Sequence, residues 1–460
     1  MDKSPQFSAE LLRRYNQPVP RYTSYPTAPR FSEAVSVPDW ERAVASRGNN
    51  ASPWSLYFHI PFCRSLCFYC ACNKIITPTQ SRSFPYLEHL FRELKLVSSK
   101  LNKQNRKVSQ IHLGGGTPTF LTPQQLTDLW DQINRHFILE ADGEYGIEID
   151  PRAANTNTIK HLTELGFNRM SFGIQDFDPE VQKAVNRIQS VKDTFDQINT
   201  ARANGVRSIN VDLIYGLPLQ TIQSFSRTLE TVIAERPDRI AVYGYAHLPQ
   251  LFRAQRQIDK HYLPPEKEKL ALLELAITKF IGAGYEYVGM DHFALPEDEL
   301  AKARRDGSLQ RNFQGYSTRQ ECDMLGFGIT SIGKVGNLYY QNTKYEKEYF
   351  SYLGGERLPI TKGYQLTEDD RLRRTIIMTL MCQGKLDLEA FEVETGLSFF
   401  RYFDREIPDL LRLAEDKLIE LNDRQIVITR RGQLLLRNIC HKFDAYRGIP
   451  GEQRIHTRAI

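Results

Sequence analysis

The stretch HIPFCRSLCFYCACN, residues 59–73, holds four of the chain's seven cysteines, at 63, 67, 70 and 72. It follows SLYFHIP (55–61), an apolar, β-rich run that reads as a buried strand. The thiols therefore sit on a loop leaving a strand end. The chain has 460 residues, 41% hydrophobic and 25% charged, with a formal net charge of +5. This is globular composition, long enough for a large core and more than one domain. The start, MDKSPQFSAELLRRYN, has no apolar core of a signal peptide, and no apolar run is long enough to span a bilayer. We therefore expect a cytoplasmic protein without a membrane anchor. Clustered thiols in a reducing compartment read as metal ligands or a redox site, not as a disulfide framework.

Outward from this loop, β-rich runs recur: SQIHLGGGTP (109–118), YGIEIDP (145–151), RMSFGIQDF (169–177), SINVDLIYGLP (208–218), RIAVYGYAHLP (239–249) and YEYVGMDHF (285–293). Amphipathic helical patterns such as PYLEHLFRELKLVSSKLN and PQQLTDLWDQINRHF lie between them. Repeated strand–helix alternation implies an α/β fold with a parallel sheet. Most runs end in polar or Gly/Pro motifs, as barrel strands do where their C-terminal ends carry chemistry, so a partial TIM-like parallel barrel is expected. Residues 1–35 read as an extended arm, because four prolines within 15–31 forbid a continuous helix. A disordered tail is the other reading. Residues 36–360 are expected to form the catalytic barrel. Residues 361–460 are expected to form a small, mainly helical, winged-helix-like domain, with a helix capped by Thr367 and a hairpin turning at Asn422–Asp423.

Cys63, Cys67 and Cys70 have the spacing C-x3-C-x2-C. Three thiolates on one loop can each bind one iron of a 4Fe–4S cubane and leave the fourth iron open to another ligand. Zinc is the alternative, but it normally needs a second ligand pair. Spacing leaves Cys72 as a fourth ligand, a buried thiol or a supporting group. The triplet Gly114–Gly116 after a strand permits close approach of a ligand to backbone, or is a plain tight turn.

The cysteine spacing with Tyr69 before its last member resembles the radical S-adenosylmethionine signature. YNQPVPRYTSYPTA, HIPFC with CACNK, GGGTPT, EIDPR, GFNRMSFGIQDF, VDLIYGLP, YAHLP, GMDHFA, RNFQGY and GQLLLRNIC together resemble the oxygen-independent coproporphyrinogen III oxidases. The resemblance implies a radical SAM core with a 4Fe–4S cluster and two molecules of S-adenosylmethionine. Tyr57, Gly115, Glu148 and Ile332 would contact the molecule on the open iron. Tyr69, Gly116, Thr117, Gln175, Arg187, Asp212 and Ala246 would contact the second. Glu148 and Asp212 are also plausible as caps or surface charges, Arg187 as a solvated helix residue, and Gln175 as a loop amide without a ligand.

The implied reaction converts the ring A and B propionates of coproporphyrinogen III to vinyl groups, giving protoporphyrinogen IX in haem biosynthesis. A 5′-deoxyadenosyl radical takes hydrogen from the propionate β-carbon, a bond that acid–base chemistry does not break. Tyr57, His59, Asp291, His292, Phe313 and Gln314 are the candidates on the reacting side. His59 could instead be a satisfied structural histidine. Arg21 and Arg30 could cover a substrate with four carboxylates. The implied partners are this substrate and a small electron-donor protein such as flavodoxin or ferredoxin. We expect a monomer without nucleic-acid binding. A haem chaperone of the same superfamily is the rival reading.

Overall fold

The computed structural model describes residues 5–48, 52–319 and 322–448. The chain forms two compact units. The first comprises Met1–Pro29, Glu266–Gln320 and Thr367–Ile460; the second comprises Arg30–Pro265 and Glu321–Leu366. The boundaries expected at 36–360 and 361–460 follow chain order. Contacts instead group Glu266–Gln320 with the C-terminal segment, because Leu270 shares one core with Ile376, Leu380 and Phe399.

The second unit is built on β1 (Trp54–Ile60), β2 (Lys107–Gly115), β3 (Ile138–Ile149), β4 (Arg169–Gln175), β5 (Ser208–Tyr215) and β6 (Arg239–Gly244). Each pairs in parallel with the next. Parallel neighbours need crossovers, and helices supply them: Ser83–Lys100, Pro123–His136, Thr156–Leu165, Val191–Ala203 and Ile222–Glu235. Side-chain caps start four of these helices: Thr122, Asn155, Ser190 and Thr221 accept from backbone amides three residues on. Leu56, Phe58 and Ile60 of β1 are fully buried, as expected of a parallel sheet covered on both faces.

On the other side of β1 lies β7 (Met324–Phe327), also parallel to it. Then β8 (Ile332–Val335), β9 (Leu338–Asn342) and β10 (Ile360–Gln365) continue antiparallel. These four short strands carry no motif long enough to read from sequence alone. Under them Glu93, 1% exposed, accepts from the Tyr349 hydroxyl at 2.5 Å, the Gly328 amide at 2.8 Å and the Asn342 side chain at 2.6 Å. Burial pushes its carboxyl up to about 7.

YEYVGMDHF is not one continuous strand. It folds as an antiparallel hairpin, Glu286–Gly289 against His292–Ala294, within the first unit. Met290 adopts φ +51° in the turn, so the chain reverses after four residues.

The N-terminal segment of the first unit begins with the helix Ala9–Arg14, capped by Ser8. The proline-rich stretch beyond it forms no α-helix, only the short 3-10 turn Ala28–Arg30. It packs through Tyr22 and Tyr25, both at most 1% exposed. The Tyr22 hydroxyl donates to Asp444 at 2.9 Å, and Asn438 donates to the Tyr15 carbonyl at 2.8 Å. The C-terminal segment has the Thr367–Asp370 capping box. Its three-stranded sheet joins Lys385–Asp387, Gln425–Ile428 and Ile419–Leu421. The hairpin turns at Asn422, whose side chain accepts from the Arg424 and Gln425 amides at 2.9 and 3.0 Å. Among the described residues no helix is long and apolar enough to cross a membrane.

Candidate active site at the strand ends

Strand register assembles the site. Ile60 pairs with Gly115, Glu148 with Ser171 and Gly173 with Asp212. Side chains two apart on a strand share a face, so Glu148 and Asp150 emerge together at the C-terminal end of β3. The cleft there is lined by Cys63, Cys67 and Cys70 with Tyr69, Gly115, Gly116, Thr117, Glu148, Gln175, Arg187 and Asp212.

The thiols occupy three different settings. Cys63 Sγ lies 3.4 Å from the Thr117 hydroxyl, and burial pushes its thiol up to about 11. Cys67 faces two guanidinium groups, Arg152 at 3.2 Å and Arg187 at 3.6 Å. Cys70 is pushed down by its hydrogen bond with Cys72 and by Lys74, while Cys72 is pushed up by the same pairing. Lys74 Nζ donates to the carbonyls of Cys70 and Cys72 at 3.0 and 3.2 Å, which closes the loop. Among the described residues no three His, Cys, Asp or Glu side chains converge at single-ion spacing. A cubane differs from a single ion in placing each thiolate on its own iron. Cys72 lines the same cleft as Cys63, Cys67 and Cys70, and soft thiol donors opening on one cleft fit such a group.

The glycine triplet is required by its surroundings. Gly115 has φ +112°, and a Cβ there would lie 2.5 Å from the His59 ring; one on Gly116 would lie 2.5 Å from the Pro61 carbonyl. The Gly115 amide donates to Glu148 at 3.1 Å. Burial opposes ionisation of Glu148, but His112 and this amide hold its carboxyl below the ordinary range. Nearly half of its side chain remains exposed.

Asp150 and Arg152 escaped the sequence reading, although both stand in the EIDPR motif. The period-2 rule applied to Glu148 would have found Asp150. It receives Arg152 at 2.7 Å and Arg187 at 3.2 Å. Burial works against its charge, yet the two arginines hold it at about 2. Arg187 is 6% exposed, donates to the Gly173 carbonyl at 2.6 Å, and keeps a buried Nε without a hydrogen-bond partner. A charged or polar ligand suits that remaining donor. Asp212 accepts from Ser171 at 2.9 Å and Asn210 at 2.9 Å.

Tyr57, Ala246 and Ile332 are not among the residues lining the cleft. Tyr57 stacks on His112 at 6.0 Å. Its hydroxyl meets His59 Nδ1 at 3.1 Å, and His59 Nε2 meets the Asn73 carbonyl at 2.9 Å. A carbonyl only accepts, so Nε2 carries the hydrogen and Nδ1 accepts from Tyr57. Burial lowers the His59 pKa and favours this neutral form. Ala246 is half-buried in the segment after β6, and Ile332 begins β8.

In the first unit, Asp291 pairs with Arg21 and accepts from His292 at 2.8 Å. Burial resists its ionisation, but these partners drive its pKa down. His292 packs edge-on against Tyr316 at 5.3 Å. Phe313 and Gln314 form the tip of the hairpin Gln310–Asn312/Gly315–Ser317.

The Radical SAM superfamily model matches residues 57–232, and the HemN C-terminal domain model matches residues 366–435. The chain is 50% identical over 443 residues to the oxygen-independent coproporphyrinogen III oxidase of Pseudomonas aeruginosa, covering 96% of each chain. It is 44% identical over 436 residues to the Escherichia coli protein of that name, covering 95% of this chain and 94% of the relative. The solved coproporphyrinogen III oxidase (HemN) of Escherichia coli, described as a radical SAM enzyme, superposes with a TM-score of 0.92 at 42% identity, covering 96% of this chain and 100% of that one. With near full-length identity on this scale, the chain belongs to the oxygen-independent coproporphyrinogen III oxidase family of the radical SAM superfamily.

Proposed function

We propose that this chain oxidatively decarboxylates the ring A and B propionates of coproporphyrinogen III to vinyl groups without oxygen, giving protoporphyrinogen IX in haem biosynthesis. The observation that carries the reading is the opening of Cys63, Cys67 and Cys70 onto one cleft with Gly115, Gly116, Glu148, Gln175, Arg187 and Asp212. Those thiols would hold a 4Fe–4S cluster, and the other residues would hold S-adenosylmethionine. Bound there, the pair supplies one electron and a carbon radical able to remove hydrogen from an unactivated C–H bond.

The chain's own groups bind, orient and shield. Thr117 lies against the Cys63 sulfur, and Arg152 and Arg187 donate to the Cys67 sulfur. Gly115 and Gly116 line the cleft with bare backbone, and a side chain at either would collide with His59 or the Pro61 carbonyl. Glu148 accepts from an ammonium or ribose hydroxyl, and Asp212, Gln175 and Arg187 offer a second polar set, as two S-adenosylmethionine molecules require. The Tyr57–His59–Asn73 chain fixes the strand that delivers Cys63. Tyr57, His59, Asp291, His292, Phe313 and Gln314 are the reacting-side candidates. The polar group Arg21–Asp291–His292 is of a kind suited to propionates. The reaction also needs an external one-electron donor, for which a small flavodoxin- or ferredoxin-like protein is the natural class. We place the enzyme in the cytoplasm as a monomer, without nucleic-acid or membrane partners.

The test is anaerobic reconstitution with iron and sulfide, followed by product analysis with coproporphyrinogen III. Protoporphyrinogen IX, with methionine and 5′-deoxyadenosine, is the expected outcome. Stable haem uptake without propionate loss would replace the reading with that of a haem chaperone.

A further inference from the structure

The strand carrying Cys63 has an exposed partner. Phe62–Cys63 pairs in parallel with Ile75–Ile76, Cys63 opposite Ile76, and the Thr77 amide donates to the Cys63 carbonyl at 2.9 Å. Ile76 is 42% exposed, Phe84 56% and Tyr345 55%. Hydrogen bonds and ion pairs tie this surface together. Arg64 reaches Gln80 at 3.0 Å, Arg82 reaches Glu346 at 2.6 Å, and Asn73 donates to the Lys344 carbonyl at 3.1 Å. The Lys344 ammonium lies 5.0 Å from the Tyr345 ring centroid. Arg64, Arg82 and Lys344 are exposed, and the Glu346 carboxylate is already engaged by Arg82.

Large apolar side chains grouped on a surface and bordered by charge mark interaction sites. Aromatic residues and arginine are the types enriched in protein interfaces. The cations select a partner of opposite sign and would speed its encounter. On the functional reading above, on which this step rests, the cluster must receive an electron from outside. A cluster thiolate whose backbone is bonded to the exposed strand Ile75–Ile76 offers a short route for it. We infer that the patch of Arg64, Ile76, Arg82, Phe84, Lys344 and Tyr345 docks a small acidic one-electron carrier protein. One electron leaves the carrier's reduced flavin or iron–sulfur centre and enters the cluster. The carrier is oxidised, the cluster is reduced, and no bond to the chain forms or breaks.

The test uses the reconstituted full chain with an acidic flavodoxin as probe. Calorimetric titration at low salt measures binding of the oxidised flavodoxin. Cleavage of S-adenosylmethionine is then driven either by photoreduced flavodoxin or by dithionite, which needs no docking surface. In the double variant Lys344→Glu/Phe84→Ala, the flavodoxin Kd should weaken by about tenfold or more. Flavodoxin-driven cleavage should fall accordingly, while iron content and dithionite-driven cleavage stay at wild-type values. Ile188→Glu, at a site 68% exposed and outside the proposed patch, should bind flavodoxin as wild type does. The docking surface is overturned if wild type binds no flavodoxin, if the double variant binds it unchanged, or if Ile188→Glu carries the loss. Failure of dithionite-driven cleavage in wild type would instead overturn the functional reading.

Discussion

The Arg187 guanidinium and the Asp150 carboxylate meet face to face, Nη1 to Oδ2 at 3.2 Å and Nη2 to Oδ1 at 3.3 Å. They are 37 positions apart in the chain. The same Nη1 lies 3.6 Å from Cys67 Sγ. One buried carboxylate thus orients the arginine beside the Cys67 thiol.

Asp150→Asn should destabilise the chain by roughly 3–5 kcal/mol, because it leaves the buried Arg187 guanidinium and the partly buried Arg152 without their counter-ion. Urea unfolding of the cluster-free protein measures this. The Asp150 pKa is depressed to about 2. Its contribution is therefore present above the unfolded value of about 4 and is lost as pH falls toward 2. The variant should lack that component of acid sensitivity.

Gly115→Ala should cost stability by about 1–3 kcal/mol, since φ is +112° and the new Cβ would lie 2.5 Å from His59. Binding of S-adenosylmethionine to the reconstituted protein should fall with it. Gly48→Ala is the control, with nothing within 4 Å of the added carbon. Equal melting temperatures for the two variants would contradict the cradle.

Serine at Cys63, Cys67 or Cys70 should abolish the iron–sulfur absorbance and reductive cleavage of S-adenosylmethionine together. Cys72→Ser should retain iron: Cys72 also lines the cleft, but it hydrogen-bonds with Cys70, and on the three-ligand reading it supports that thiol instead of holding an iron. Iron analysis per chain decides it; full iron loss in Cys72→Ser would mean four ligands.

Asp212→Ala should lower bound S-adenosylmethionine from two per chain toward one. A lost charge-assisted hydrogen bond is worth about 1.5–3 kcal/mol, or roughly ten- to a hundredfold in affinity. Asp212 separates the two sites better than Arg187, whose loss would also disturb Cys67 and Asp150. Anaerobic equilibrium dialysis gives the stoichiometry, and electron paramagnetic resonance of the reduced cluster reports the molecule that remains.

Glu93 has its pKa raised by burial to about 7. A carboxyl raised in the folded state contributes stability below its unfolded value of about 4.3 and loses it as pH rises through about 7. The melting temperature of Glu93→Gln should therefore gain on wild type as pH rises from about 4.3 to about 7, and the two profiles should run parallel above that. Profiles parallel throughout would show that Glu93 titrates normally in the fold.

The alternation of β-runs and amphipathic helices was legible in the sequence because strand and helix periods are local. So was the cysteine loop, since C-x3-C-x2-C is a spacing on one short segment. The hairpin Glu286–Gly289/His292–Ala294 was not, because one residue at φ +51° reverses a run whose composition reads as a single strand. The strands β7 to β10 were missed for a related reason: Met324–Phe327 and Ile332–Val335 are four residues each, too short for their period to stand out.

By itself the sequence determined which residue types can do the chemistry: three thiols within eight positions, a glycine triplet after a strand, and carboxylates at strand ends. Their family assignment followed from motifs spread along the whole chain. Only the tertiary structure decided that Asp150 joins Arg152 and Arg187 against Cys67, and that His59 carries its hydrogen on Nε2 between Tyr57 and Asn73. Each of these depends on register between strands distant in the chain and on which side chains lose water together. Local periodicity encodes neither, because hydrogen-bond partners and desolvation are properties of the packed whole.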